Sequence, residues 1–202
     1  MRVANSRAVR QDDTDHFRLW ETAGTAHADT YTVGGMADLG KDPAIVAPMI
    51  TSSAAGGFIS CPAPFNSGPQ HFVLNAAVAA LDRWVRRGTP PPSMPRLDTN
   101  RDGTRVLDAH GNASGGIRTP QLDVPIARFT GTQPPGASIL CLLFGTTTLI
   151  PDDELHVLYP THRAFVSAYA KATKRALRAG VLLKPDAKLI RRWAAGWSVG
   201  KP

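Results

Sequence analysis

The stretch FRLWETAGTAHAD, Phe17 to Asp29, decides how the chain is read. Phe17 to Thr22 carries Phe17, Leu19 and Trp20 without a breaker, which is the pattern of a strand. Gly24 ends it, Ala26 adds a second small residue, and His27 follows. A strand that delivers a histidine through a Gly-x-Ala turn places an imidazole at the carboxyl edge of a sheet, where a general base can meet a nucleophile from a neighbouring strand. The small residues at 24 and 26 leave the ring uncrowded. The plainer alternative is a histidine on a surface loop.

A base needs a nucleophile. In an α/β-hydrolase the serine stands in G-x-S-x-G, because small neighbours permit the strained strand-to-helix turn. The nearest approach here is NASGG around Ser114, with Asn112 in place of the first glycine and no helix after it. It reads as a turn. Neither Cys61 nor Cys141 stands in a nucleophile context. They form no C-x-x-C pair, which argues against zinc. They are either bridged, which requires an oxidising compartment, or buried as free thiols.

Composition bounds the class. The 202 residues are 43% apolar and carry a net charge of +7, so the chain folds around a core and leans toward anionic partners. The cations gather late, from Lys171 to Arg192, on two apparent helices, and read as solvated faces. No zinc finger or aromatic strand motif accompanies them, so nucleic-acid binding is the weaker alternative. The polar opening MRVANSRAVRQDDTD has no apolar core for a signal peptide. The longest apolar run, Ile139 to Phe144, is too short to span a membrane. As written, the chain reads as soluble and cytoplasmic.

Helical periodicity is clearest from Pro69 to Arg87, with Val73, Ala76, Ala77, Ala80, Leu81 and Trp84 on one face. Ser67 or Gly68 can cap its start, and Gly88 followed by TPPP stops it. Thr161 caps a second helix carrying Phe165, Tyr169, Ala172 and Leu177, which ends at Gly180. Pro185 opens a third, with Leu189, Ile190 and Trp193 on one side. Thr104 to Leu107, Val124 to Phe129 and Ser138 to Thr148 are candidate strands, and Thr30 to Phe65 is a long loop with short helical turns.

Two motifs compete with His27. DTNRDG, Asp98 to Gly103, matches the first half of a calcium loop, but Ala109 stands where the closing glutamate belongs. An Asp-Gly turn between strands is simpler. DAHGNASGGIRTPQLDVP, Asp108 to Pro125, is dense in turn formers. Arg118 can grip a substrate carboxylate with Asp123 orienting it, or the loop is structural, its Asp and Asn side chains bonding their own backbone. His156 and His162 are spaced too irregularly for a helical metal pair. No metal or cofactor site emerges.

RLWETAGTAHAD, GPQHFVLNAAVAALDRWVRRGTPPP, GNASGGIRTPQLDVP and LYPTHRAFV together resemble the bacterial alpha/beta hydrolase domain family, in the family's order, from about Arg10 to Ala195. The resemblance is to the carboxy-terminal part. It implies an α/β fold in which residues 1–50 hold the last sheet strand and the histidine loop, and 51–202 form a helical, loop-rich region of the same domain. It implies that His27 is the triad histidine, with the serine elbow, oxyanion hole and acid upstream in chain order. Asp29, which follows the histidine, does not take the acid's place. The implied reaction is hydrolysis of a small acyl ester, without cofactor, in company with an amino-terminal hydrolase half. A non-catalytic interaction module or remnant is the other reading.

Overall fold

A computed structural model describes residues 6–34, 51–55 and 58–201. Over these residues the chain is mixed α/β. Its helices are α1 (Thr30–Gly34), α2 (Gln70–Arg87), α3 (Pro120–Asp123), α4 (Asp152–Leu158), α5 (His162–Arg178) and α6 (Lys184–Gly196). Two small antiparallel sheets pair β1 (Ala54–Ala55) with β2 (Ile59–Ser60), and β3 (Ala127–Thr130) with β4 (Thr146–Leu149). In the second sheet Ala127 faces Leu149 and Thr130 faces Thr146. Of the expected 1–50 unit and the 30–65 loop, residues 1–5, 35–50, 56 and 57 lie outside the described residues.

The long helices follow their punctuation. Thr161 Oγ1 accepts from the Ala164 amide at 3.1 Å and caps α5, and Gly180 leaves it with φ 76°. Pro185 sits in the first turn of α6, where its missing N–H costs nothing. Phe165, Tyr169, Ala172 and Ala176 from α5 meet Ala187, Leu189, Ile190 and Ala194 from α6, with Phe72 and Val73 of α2 in the same core.

Helix α2 departs from expectation in two details. Pro69, not Ser67 or Gly68, stands at its start, without a side-chain cap, while Gly88 closes it at φ 65° as expected. The inner face holds Phe72, Val73, Ala76 and Ala80, with Ala77 and Trp84 only half-buried and Leu81 55% exposed. Phe72 is the largest apolar group on the helix's first turn, and burying it rotates the stripe away from Leu81. Leu74, Val78, Leu81 and Val85 consequently line the outer face. Trp84 lies beneath the Arg18 guanidinium, 5.4 Å from its ring centre.

The expected strand from Phe17 is not formed. Thr14 bridges Phe17, and Thr22 makes a single parallel bridge to Ile117. The reason lies in who satisfies the backbone. Asp13 Oδ1 accepts from the Leu19 amide at 3.1 Å, Arg96 donates to the Leu19 carbonyl, and Arg18 donates to the Thr14 and Phe17 carbonyls. Side chains occupy the groups that a ladder would use. Glu21, buried, accepts from Nε and one terminal nitrogen of Arg10 at 2.8 and 2.6 Å and from the Leu97 amide at 2.8 Å.

The middle is less regular than expected. Thr104 to Leu107 makes isolated bridges, Thr99 to Arg105 and Leu107 to Ala113. DTNRDG makes the turn from Thr99 to Arg105, with the Gly103 amide on the Asn100 carbonyl. Pro125 lacks a donor, and strand pairing begins only at Ala127. Between Ser138 and Thr148, a 3₁₀ turn at Cys141–Leu143 and a left-handed Gly145 delay the strand to Thr146. The cysteines are bridged: Cys61 and Cys141 are 5.6 Å apart at Cα and sit among Phe65, Phe144 and Ala28.

Asp13 gives a pH test. Its carboxyl is held far below the ordinary carboxylate range, first by the Arg96 hydrogen bond, then by the Leu19 amide and Ser93. A depressed pKa contributes stability above the unfolded-state value and loses it as pH falls through the folded-state value. Asp13→Asn is therefore expected to lower the urea midpoint at neutral pH, with the gap closing toward strong acid. Replacing both cysteines by serine is expected to cost about 2–4 kcal/mol in the same assay, since the bridge closes a long loop.

Candidate active site

His27 sits on a loop held by hydrogen bonds on both sides of it. The Ala23 amide donates to Ile117 at 3.0 Å, and the Gly24 carbonyl accepts from Asn66 Nδ2 at 3.2 Å. Thr25 Oγ1 closes onto the Thr22 carbonyl at 3.1 Å. Gln70 Nε2 reaches the His27 carbonyl at 3.2 Å, and the Ala28 amide donates to Leu143 at 2.9 Å. Gly24 has φ 68°, and a side-chain carbon there would meet Leu122 at 2.7 Å, so only glycine fits this turn. The imidazole itself is exposed and has no hydrogen-bond or ion-pair partner among the described residues.

Asn66 organises this loop. It is fully buried, and its side chain donates to the Gly24 and Thr130 carbonyls and accepts from the Gly68 amide, at 3.2, 2.9 and 2.8 Å. Its backbone accepts from Thr30 and donates to Phe144, both at 2.8 Å. Periodicity carries no signal for such a residue: in FNSGP it reads as one more turn former. Gln70 and Asn66 hold this loop, and sequence reasoning missed both.

Asp29 is buried two residues beyond His27 and turns to helix α1. Its Oδ1 accepts from the Thr32 amide and hydroxyl, both at 2.8 Å, while Oδ2 has no partner among the described residues. It is an N-terminal cap of α1 and no ion-pair partner of the histidine. Tyr31 follows, stacked on His71 at 4.8 Å. Burial, then the charges of Asp29 and Asp186, push the Tyr31 phenol up, so it stays protonated.

The structure brings Arg118 and Asp123 together. Arg118 Nε meets Asp123 Oδ1 at 3.1 Å, one terminal nitrogen meets Asp108 Oδ2 and the Leu122 carbonyl, each at 2.8 Å, and the other donates to Ala113. Asp123 also accepts from Arg175 at 3.0 Å. The guanidinium thus clasps both ends of the loop around α3, and Leu122 from that loop packs on Gly24 below the histidine turn.

The other histidines are differently placed. His110 lies 3.8 Å from Glu154. His156 Nδ1 is 2.7 Å from its own helix's Asp152 carbonyl, and His162 is held between the Val199 and Ala195 carbonyls at 2.9 and 3.1 Å. No group of three or more His, Cys, Asp or Glu side chains among the described residues could hold a metal ion. No helix among them is long and apolar enough to cross a membrane.

The family described as Alpha/beta hydrolase domain matches residues 1–192, and the chain belongs to it. Comparison with curated proteins and with solved structures returns no match.

Asn66→Ala strands buried groups at Gly24 and Gly68 and a part-buried one at Thr130. It is expected to destabilise the chain by about 3 kcal/mol or more in denaturant. Amide exchange at Gly68, whose hydrogen bond it removes, is expected to rise beyond what the global loss accounts for.

Proposed function

We propose that this chain supplies the general base, His27, for hydrolysis of a carboxylic ester, working with a serine nucleophile carried by a hydrolase half outside this sequence. The observation that supports it most is the contrast at residue 27: a backbone pinned from Ala23 to Asp29 beneath an imidazole that is solvent-exposed and uncommitted. Such a ring accepts the serine proton as the hydroxyl attacks the acyl carbon. It returns that proton to the departing alkoxide, and then activates water to release the acid. The held loop sets the point from which the ring projects, and the acid of the other half would orient the ring itself.

Substrate binding by Arg118 and Asp123 enters on a condition. A substrate carboxylate would have to displace Asp108 or Asp123 from a guanidinium that now serves the loop. The hydrolase half has a candidate landing surface in Leu74, Val78, Leu81 and Val85, each more than half exposed on the outer face of α2. The same stripe favours the alternative of a non-catalytic interaction module. The Cys61–Cys141 bridge supports residence in an oxidising compartment rather than the cytoplasm.

The test is reconstitution. The chain by itself is expected to hydrolyse p-nitrophenyl acetate no faster than matched free imidazole, and to take up no serine-directed phosphonate. Joined to a homologous amino-terminal half, it is expected to become active. His27→Ala is then expected to remove about 10³-fold or more of that activity with folding intact. Substituting His71, His110, His156 or His162 is expected to do far less. Retained activity in His27→Ala would overturn the assignment.

A further inference from the structure

Helices α5 and α6 line an open cleft of about 490 Å³ that the acyl-hydrolase reading does not use. Its α5 wall is apolar, with Val166, Ala170 and Leu177, and Tyr169 lies at its base. Its α6 wall has Ala187 and Ala194 below and a row of cations above: Lys184, Lys188, Arg191 and Arg192. All four cations are exposed, and none has a hydrogen-bond or ion-pair partner among the described residues. Asp186, the sole acid in either helix, is turned to Asn75 of α2 at 3.3 Å. The Tyr169 hydroxyl is buried and has no hydrogen-bond partner among the described residues.

The volume lies in the range of small-molecule sites, about 300–1,000 Å³. From Val166 to Leu177 the cleft runs roughly 16 Å along the helix, at 1.5 Å per residue. An apolar trough rimmed by unpaired cations is complementary to a ligand with an apolar tail and an anionic head. The guanidinium forks of Arg191 and Arg192 suit a carboxylate. The trough is recessed between two helices. A bilayer surface cannot fill it unless a lipid tail leaves the bilayer, so a single detached chain is the better fit.

We propose that the α5–α6 cleft binds a single-chain fatty carboxylate, its tail along Val166, Ala170 and Leu177 and its head against the α6 cations. This site is separate from His27 and does not depend on the hydrolase reading. The experiment is titration of the full chain with laurate below its micelle concentration, followed by calorimetry and by fluorescence of Trp193 and Trp197, which pack at 4.9 Å at the end of α6. Saturable one-to-one binding is expected. Lys188→Glu with Arg191→Glu, both surface changes, is expected to weaken it about tenfold or more, as is replacing laurate by dodecanol, because a charge-assisted contact is lost. Ala170→Trp is expected to block it by filling the trough, with circular dichroism reporting the fold. The proposal is overturned if laurate fails to bind, or if the charge-reversed chain binds it unchanged. It is also overturned if only phosphatidylglycerol vesicles or only an acidic helical peptide are bound.

Discussion

The buried side chain of Asn66 is the constraint on which the arrangement around His27 rests. An amide taken wholly out of water is costly unless its donors and acceptor are met. Here both donor bonds and the acceptor bond are made, to Gly24, Thr130 and Gly68. These three groups belong to the histidine turn, the end of β3 and the approach to α2. The backbone of the same residue adds the start of α1 and the segment after the 3₁₀ turn. One residue therefore ties the segment from Gly24 to Thr30, the end of β3 and the segment after the 3₁₀ turn to the approach to α2. It can do so only because Gly24 and Gly68 come close enough: a side-chain carbon on Gly68 would collide with the Gly24 carbonyl.

A second asparagine repeats the device at the other end of β3. Asn112, also fully buried, donates to the Ala127 carbonyl at 3.0 Å and accepts from the Phe129 amide at 2.9 Å. It thus stands in for a neighbouring strand on an edge that would otherwise be unpaired. Arg118 closes the loop that carries Asn112, and Leu122 from that loop supports Gly24. The disulfide secures the opposite side, where Ala28 bonds the Leu143 carbonyl just beyond Cys141. The histidine turn is thus held from three directions by polar and covalent links, with little apolar area of its own.

This division explains what the sequence made legible. α2, α5 and α6 are written locally, in apolar spacing, in Thr161, and in the glycines at 88 and 180, so their ends match expectation closely. Phe17 to Thr22 has the local signature of a strand too, but Asp13, Arg18 and Arg96 reach its backbone first. That contest is decided by side chains as distant as residue 96, and no window of alternating residues contains it. The same holds for Asn66, for the choice between bridged and free cysteines, and for the rotation of α2 by Phe72. The turn that carries His27 was legible, because Gly24 and Ala26 mark it. The groups that hold it were not, because a turn-forming asparagine looks alike whether it is solvated or buried.

The outward surfaces divide along the same lines. Helix α2 presents Leu74, Val78, Leu81 and Val85 at helical spacing, and its exposed Arg86 is neutralised by Asp82 at 2.6 Å. A convex apolar ridge of this kind loses most of its exposed area only against another folded surface, since a small molecule covers too little of it. The α5–α6 face is the reverse: apolar residues recessed, cations outward and unpaired. A flat protein surface would leave that trough empty, whereas a slender chain fills it and an anionic head meets the rim. The two faces thus select different kinds of partner by shape before charge is considered. On the readings proposed above, one completes the domain and the other holds a ligand.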